Sequence, residues 1–209
     1  MQRSFDAEIL DGEGLPAEVV ARAHRGLRLT HTLLGNRAAI LRALRRDGPP
    51  IRRLLDVGCG HGGMLADIRE RLAIDVIGAD LKPPATALVP IVRADVTRDP
   101  LPEADVAISV CLAHHLTDDQ VVDLIRNVGK SCRRFVILDL VRSRIPLVLF
   151  RVAAPLVLPP VNVADGATSI RRAFTPAEFR ALVGRALNGA PFRHTVAPFY
   201  IRQIADITY

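Results

Sequence analysis

The sequence predicts an α/β fold: a mostly parallel sheet flanked by helices, with a helical cap ahead of it. Three observations carry that prediction. From residue 51 onward, short β-branched runs alternate with helical segments of ten or so residues. The stretch LLDVGCGHGG (54–63) joins an apolar strand to a helix through four glycines in six positions, 58 to 63. Carboxylates then stand at the ends of the first three predicted strands, at Asp56, Asp80 and Asp95. Strands that alternate with helices pair in parallel, and such sheets bind ligands beyond the carboxyl ends of their strands, near the switch in strand order.

The elements follow in order. Residues 16–46 carry apolar positions at spacings of three and four, which predicts helix, with Asp47-Gly48-Pro49-Pro50 as the stop. RRLLDVG (52–58) is the first strand, GGMLADIRERLA (62–73) a helix and DVIGAD (75–80) the second strand. KPPATALVP (82–90) holds prolines at 83 and 84 and predicts a loop where a helix would be usual. IVRADV (91–96) and ADVAISVCL (104–112) are the third and fourth strands. TDDQVVDLIRNVGKSC (117–132) is a helix with Thr117 at its N-cap, and RRFVILDL (133–140) is the fifth strand. TPAEFRALVGRAL (175–187) is a helix with Thr175 as N-cap, Pro176 at N1 and Glu178 at N3. Residues 192–208 predict two closing strands around Pro198, with His194 structural on one of them. The domain reading is a helical cap over 1–50 and a core over 51–209, with an insert at about 142–175 on the substrate side.

Composition narrows the function. With 209 residues and 49% apolar content the chain suits one α/β domain. The formal charge of +6 raises the question of nucleic acid, but only Lys82 and Lys130 are lysines, and the arginines are spread in no run longer than two. Aromatics are 4% and tryptophan is absent, so stacking platforms for bases are few and a nucleic-acid partner is not expected. Three cysteines without a CxxC fit neither a disulfide framework nor a zinc site. No His/Asp/Glu set has ligand spacing, His114 and His115 being adjacent, so no metal is expected. The first ten residues hold no apolar leader, and the apolar stretch 145–161 is broken by Arg151 and four prolines. The expectation is a cytoplasmic protein with no membrane span, that stretch being buried or lining a pocket. Oligomeric state is left open.

The glycines alone allow two cofactors. Gly58, Gly60 and Gly63 satisfy GxGxxG, the dinucleotide pattern; Gly58, Gly60 and Gly62 satisfy GxGxG, the pattern of S-adenosylmethionine enzymes. Asp56 discriminates. A carboxylate two residues before Gly58 opposes the pyrophosphate of a dinucleotide but favours the ammonium of a methionine tail. Asp80, at the end of the second strand, can accept both ribose hydroxyls and fits either ligand. Asp95 can reach an adenine edge. LLDVGCGHGG, VIGADL, RADV and ISVCLAHHL, in this order and spacing, resemble the motifs of class I S-adenosylmethionine-dependent methyltransferases over roughly residues 50–145. The resemblance implies a Rossmann-like sheet of seven strands with the last antiparallel. It also implies a cofactor cradle of Asp56, Gly58, Cys59, Gly60 and Gly62, with Asp80 on the ribose, Leu81, Asp95 and Val96 at the adenine, and Cys111 beside the methionine. His61 departs from the usual Thr or Ser and reads as a turn residue.

S-adenosylmethionine carries its own electrophile, so the chain has mainly to align an acceptor. An acidic acceptor such as a phenol or enol also needs a base, and His114 or His115, in the loop after strand four, is the candidate. The bland alternative packs one histidine on the cofactor and lets the other cap the next helix. Substrate-side candidates are Arg37, on the last cap helix, and Arg171 and Arg172, where a carboxylate, enolate or phosphate could be met. Asp139, ending strand five, orients an acceptor hydroxyl or caps a turn. LDLVRSR and SIRRAFTPAEFRAL together resemble a bacterial subgroup linked to polyketide-derived phenols and pyrones, which implies O-methylation of a small, lipophilic molecule in secondary metabolism. The rivals are an RNA or protein methyltransferase of the same fold and a non-catalytic binder of the cofactor.

Overall fold

The computed structural model describes residues 1–12, 14–46 and 49–209, so Asp47 and Gly48 of the expected helix stop lie outside the described residues. The expected cap segment forms two helices. α1 (Ala17–Leu33) ends where Gly35 takes a left-handed φ of 68°, and α2 (Asn36–Leu44) starts immediately after it. A residue without Cβ makes that reversal at little steric cost. α2 is packed into the core: Ala39, Ile40, Leu41, Ala43 and Leu44 are all buried.

The sheet has seven strands. They are β1 (Arg53–Val57), β2 (Asp75–Asp80), β3 (Ile91–Arg93), β4 (Ala104–Val110), β5 (Cys132–Asp139), β6 (Arg193–Val196) and β7 (Gln203–Thr208), in the order β3-β2-β1-β4-β5-β7-β6. The first five pair in parallel, and β7 runs antiparallel between β5 and β6. The strand order reverses between β1 and β4, so the loops after those two strands open on one crevice. β3 is shorter than the run IVRADV predicts, because Asp95 leaves the ladder to bind Thr97.

Side chains alternate across the sheet. Leu54 packs on one face with α2 and α3 (Gly63–Leu72), while Leu55 and Val57 pack on the other with α4 (Asp118–Val128) and α7 (Pro176–Ala186). Both expected N-caps close full capping boxes, Thr117 with Gln120 and Thr175 with Glu178. No helix bridges β2 and β3, as the two prolines predict.

The segment 145–161 departs from expectation. It forms α5 (Arg144–Ala153), a short 3-10 turn and the start of α6 (Pro160–Arg172). Leu147 and Phe150 pack on Ala167 and Ile170 of α6, but Val148, Leu149, Val152, Leu156 and Val157 are exposed. One helical stripe meets one neighbour, and the rest of an apolar helix is then left in water. The segment is therefore not a buried wall. Among the described residues no helix is long and apolar enough to cross a membrane.

Ile40→Ala, which empties a fully buried site on α2, is expected to lower unfolding stability by about 3 kcal/mol. Val148→Ala, on the exposed face of α5, is expected to stay within about 0.5 kcal/mol. Urea titration of both variants checks the pair; equal small losses would mean that α2 is not part of the core.

Candidate active site

β1 delivers its last residues into the crevice. Gly58, Gly60 and Gly62 adopt φ of 76°, 55° and 80°, so the turn is left-handed three times in five residues. Two of these glycines are also hemmed in. A Cβ on Gly58 would lie 2.8 Å from the Leu112 side chain, and one on Gly62 would lie 2.5 Å from Val89 Cγ2. A Cβ on Gly60 would meet nothing within 4 Å. Its open side is the place where backbone can approach a ligand closely.

The carboxylates behave differently from one another. Asp56 is 2% exposed, and its Oδ1 has no hydrogen-bond partner among the described residues. Burial, followed by the charge of Asp80, pushes its carboxyl well above the usual range. A buried acid without a donor is costly, and a cationic group beside it removes that cost. The cradle thus fits the ammonium of a methionine tail. Asp80 accepts hydrogen bonds from Gly60 N at 2.8 Å and Lys82 N at 2.9 Å, which ties the glycine turn to the end of β2. Leu81 beside it is exposed. Asp95 is bound to Thr97 and paired with Arg98, and those contacts, the Thr97 hydroxyl first, hold its carboxyl below the usual range. Val96 packs in the core, and its carbonyl accepts from Asn127 Nδ2 at 3.0 Å. Cys59 packs over Gly78, and burial pushes its thiol up. The ring of His61 stacks on His24 of α1, with centroids 5.2 Å apart.

β4 is followed by Cys111 at φ 58°, a left-handed conformation uncommon outside glycine. The chain then makes a 3-10 turn at Ala113–His115. That turn brings His114 onto Asp139 at the end of the neighbouring β5. His114 N donates to Asp139 Oδ2 at 2.9 Å, and His114 Nδ1 lies 2.7 Å from Asp139 Oδ1. Leu140 N donates to the same Oδ1 at 2.6 Å. His114 is 3% exposed and Asp139 1%. Burial raises the Asp139 carboxyl, but His114 and the two backbone donors outweigh it, and the net direction is down. An ionised carboxylate only accepts, so Nδ1 carries a proton, and in the neutral ring the lone pair is then on Nε2. Asp139 therefore orients His114, where the sequence suggested an acceptor hydroxyl or a turn. Neither histidine caps α4, since Thr117 does so.

The N-terminal strap, residues 1–12, covers this pair. Arg3 donates to Leu116 O and Arg172 O and pairs with Asp118, and Ser4 N donates to Arg171 O. Ile9 N and Leu10 N donate to the Asp165 carboxylate on α6. This places Glu8 Oε1 3.7 Å from His114 Nε2 and 3.8 Å from His115 Nε2. Asp11 Oδ2 lies 3.4 Å from His115 Nδ1. Burial lowers the His115 pKa, but Asp11 and Glu8 outweigh it and the net direction is up.

The three arginines are placed otherwise than as free anion receptors. Arg37 pairs with Asp67 of α3 at 2.7 Å. Arg171 binds Thr168 Oγ1 and leans on Asp6. Arg172 donates to His114 O and His115 O at 3.4 Å and pairs with Asp11, clamping the histidine turn to the strap. Glu8, Asp11, Arg3 and Asp165 are neighbours of the site that sequence reasoning missed. Their one signal is the concentration of acid in Asp6, Glu8, Asp11 and Glu13 ahead of a basic chain.

Asp56→Asn tests the buried acid. A carboxyl whose folded pKa is raised lends full stability below its unfolded value of 3.8, and that stability is lost as pH rises through the folded value. The margin by which Asp56→Asn exceeds the wild type should therefore grow with pH. Cofactor-free urea melts at several pH values between about 5 and 8 read it directly; a margin independent of pH would mean that Asp56 is ionised throughout.

Comparison with known proteins agrees with this geometry. Residues 54–134 match the family model described as a methyltransferase domain. No curated protein sequence matches the chain. Among solved structures, the plantazolicin methyltransferase BpumL, in complex with a monoazolic desmethylplantazolicin analogue and S-adenosylhomocysteine, is similar at TM-score 0.65 and 13% identity, over 89% of this chain and 86% of that one. Human N-acetylserotonin methyltransferase with S-adenosylmethionine aligns at TM-score 0.60 and 16% identity, over 99% of this chain and 62% of that one. The methyltransferase SibL in its apo form aligns at TM-score 0.62 and 15% identity, over 93% and 59%. Residues 54–134, which match a methyltransferase domain, hold the glycine turn, the strand-end acids and the histidine turn, and the chain as a whole shares its fold with these methyltransferases.

Proposed function

We propose that the protein methylates a hydroxyl of a small, lipophilic acceptor, of the kind found in alkylphenols and pyrones. The observation that carries this reading is the His114–Asp139 pair, buried beside the glycine turn. Leu112, two residues before His114, packs directly against Gly58, so the base candidate and the cofactor cradle share one wall.

When bound, S-adenosylmethionine would supply an electrophilic methyl group on a sulfonium, and Asp56, the three glycines and Asp80 would hold it. The chain's remaining task is to present a nucleophilic oxygen. His114 Nε2, with Nδ1 fixed by Asp139, takes the acceptor's hydroxyl proton as the oxygen attacks. Asp139 stabilises the imidazolium that results. A neutral amine already carries a free lone pair and places less demand on such a base, which is why oxygen is favoured over nitrogen. Two neighbours are named for acceptors, plantazolicin and N-acetylserotonin, rather than for nucleic acid. The +6 charge favours the RNA reading, but the arginines at the site are engaged with carboxylates and carbonyls.

Transfer of labelled methyl to alkylphenols and pyrones tests the proposal. His114→Ala and Asp139→Asn are each expected to lower kcat by about 100-fold or more, with S-adenosylhomocysteine affinity changed little. His115→Ala should cost less than tenfold, by about one decade at most. Cofactor binding without transfer to any hydroxyl would overturn the acceptor reading.

A further inference from the structure

Glu8, His114 and His115 present three donor atoms, all within 4.8 Å of one another, from two segments 106 residues apart in sequence. The distances of 3.7 and 3.8 Å between Glu8 Oε1 and the two Nε2 atoms are too long for hydrogen bonds. They lie close to the separation of roughly 3.4 Å between two donors bonded at about 2.0–2.1 Å to one tetrahedral ion. Each ring is also backed on its other nitrogen by a separate carboxylate, Asp139 at 2.7 Å and Asp11 at 3.4 Å. Histidines that ligate metals are oriented in this way, because a carboxylate on one nitrogen fixes the tautomer and aims the lone pair of the other. Glu8 Oε1 itself accepts from the Ser169 hydroxyl at 2.7 Å, which holds it in place. Three carboxylates surround the two rings. The two guanidiniums nearby, Arg3 and Arg172, sit on backbone carbonyls of residues 114–116, with Arg172 also paired to Asp11.

We propose that Glu8, His114 and His115 bind a divalent transition-metal ion of the zinc class, and that this ion latches the 1–12 strap over the histidine turn. Two imidazoles and one carboxylate select zinc, cobalt or nickel over magnesium and calcium, which prefer all-oxygen sites. The fourth position is left to water. Ligation occupies His114 Nε2, so the latched form is catalytically silent and removal of the ion frees the base. The binding site stands without the methyl-transfer reading; only its effect on activity rests on that reading.

Titration of the chelator-stripped full chain with cobalt(II) tests the site. The expected result is a visible d–d band saturating at one equivalent, without the thiolate charge-transfer band that the free cysteines would give, and displaced by zinc. Glu8→Gln and His115→Ala should each weaken zinc binding at least about tenfold, and His24→Ala, which alters the other histidine pair, should leave it unchanged. Zinc should also slow amide exchange over residues 1–12 in the wild type and not in Glu8→Gln. No one-equivalent band, or equal zinc affinity in Glu8→Gln, overturns the site; zinc binding without slowed exchange overturns the latch. S-adenosylhomocysteine binding, measured on the same samples, reads the cofactor cradle separately and shows that the variants are folded.

Discussion

The Asp139 carboxylate, sealed at the carboxyl end of β5, is the constraint around which the site is arranged. An ionised acid in that position is tolerated only if donors replace the water it has lost. Three N–H groups do so: His114 N, His114 Nδ1 and Leu140 N. Two of the three come from the loop after β4, so the carboxylate fixes the path of that loop as well as its own state. Cys111 is held in a left-handed conformation and Leu112 is pressed against Gly58 as parts of the same turn.

The sheet explains why these groups meet. Parallel pairing of β1 with β2 and β4, and of β4 with β5, brings all their carboxyl ends to one edge. Asp56, Asp80, the histidine turn and Asp139 are then neighbours by register, although 83 residues separate the first from the last. The antiparallel β7 seals the far side of β5, where Gln203 opposite Asp139 binds the carbonyls of Leu140 and Phe174.

Much of this was legible in the sequence, for local reasons. Four glycines in six positions admit few backbone paths, and Thr117 and Thr175 with Gln120 and Glu178 announce helix starts by chemistry confined to one turn. The cradle and the base candidates followed from the same short-range logic. What was hidden depends on long-range approach. Nothing in the spacing of Glu8 or Asp11 says that a strap returns to residues 114 and 115, and nothing in Asp139 says that its partner is a histidine 25 positions earlier. The pairing of the three arginines was hidden for a related reason. Arg37, Arg171 and Arg172 look free in one dimension, yet each finds a carboxylate on another element. The apolar run 145–161 misled in another way, since periodicity identifies an apolar helix without saying how many neighbours will cover it.

Asp56 bears on how much of the protein a cell keeps. A fold that encloses a carboxyl oxygen, Asp56 Oδ1, with no partner among the described residues is less stable empty than with a cation there, and a ligand that supplies one adds to the free energy of unfolding. Proteases sample chains in proportion to their unfolded fraction. A ligand that sets a cation beside Asp56 therefore lowers the fraction of chain open to cleavage.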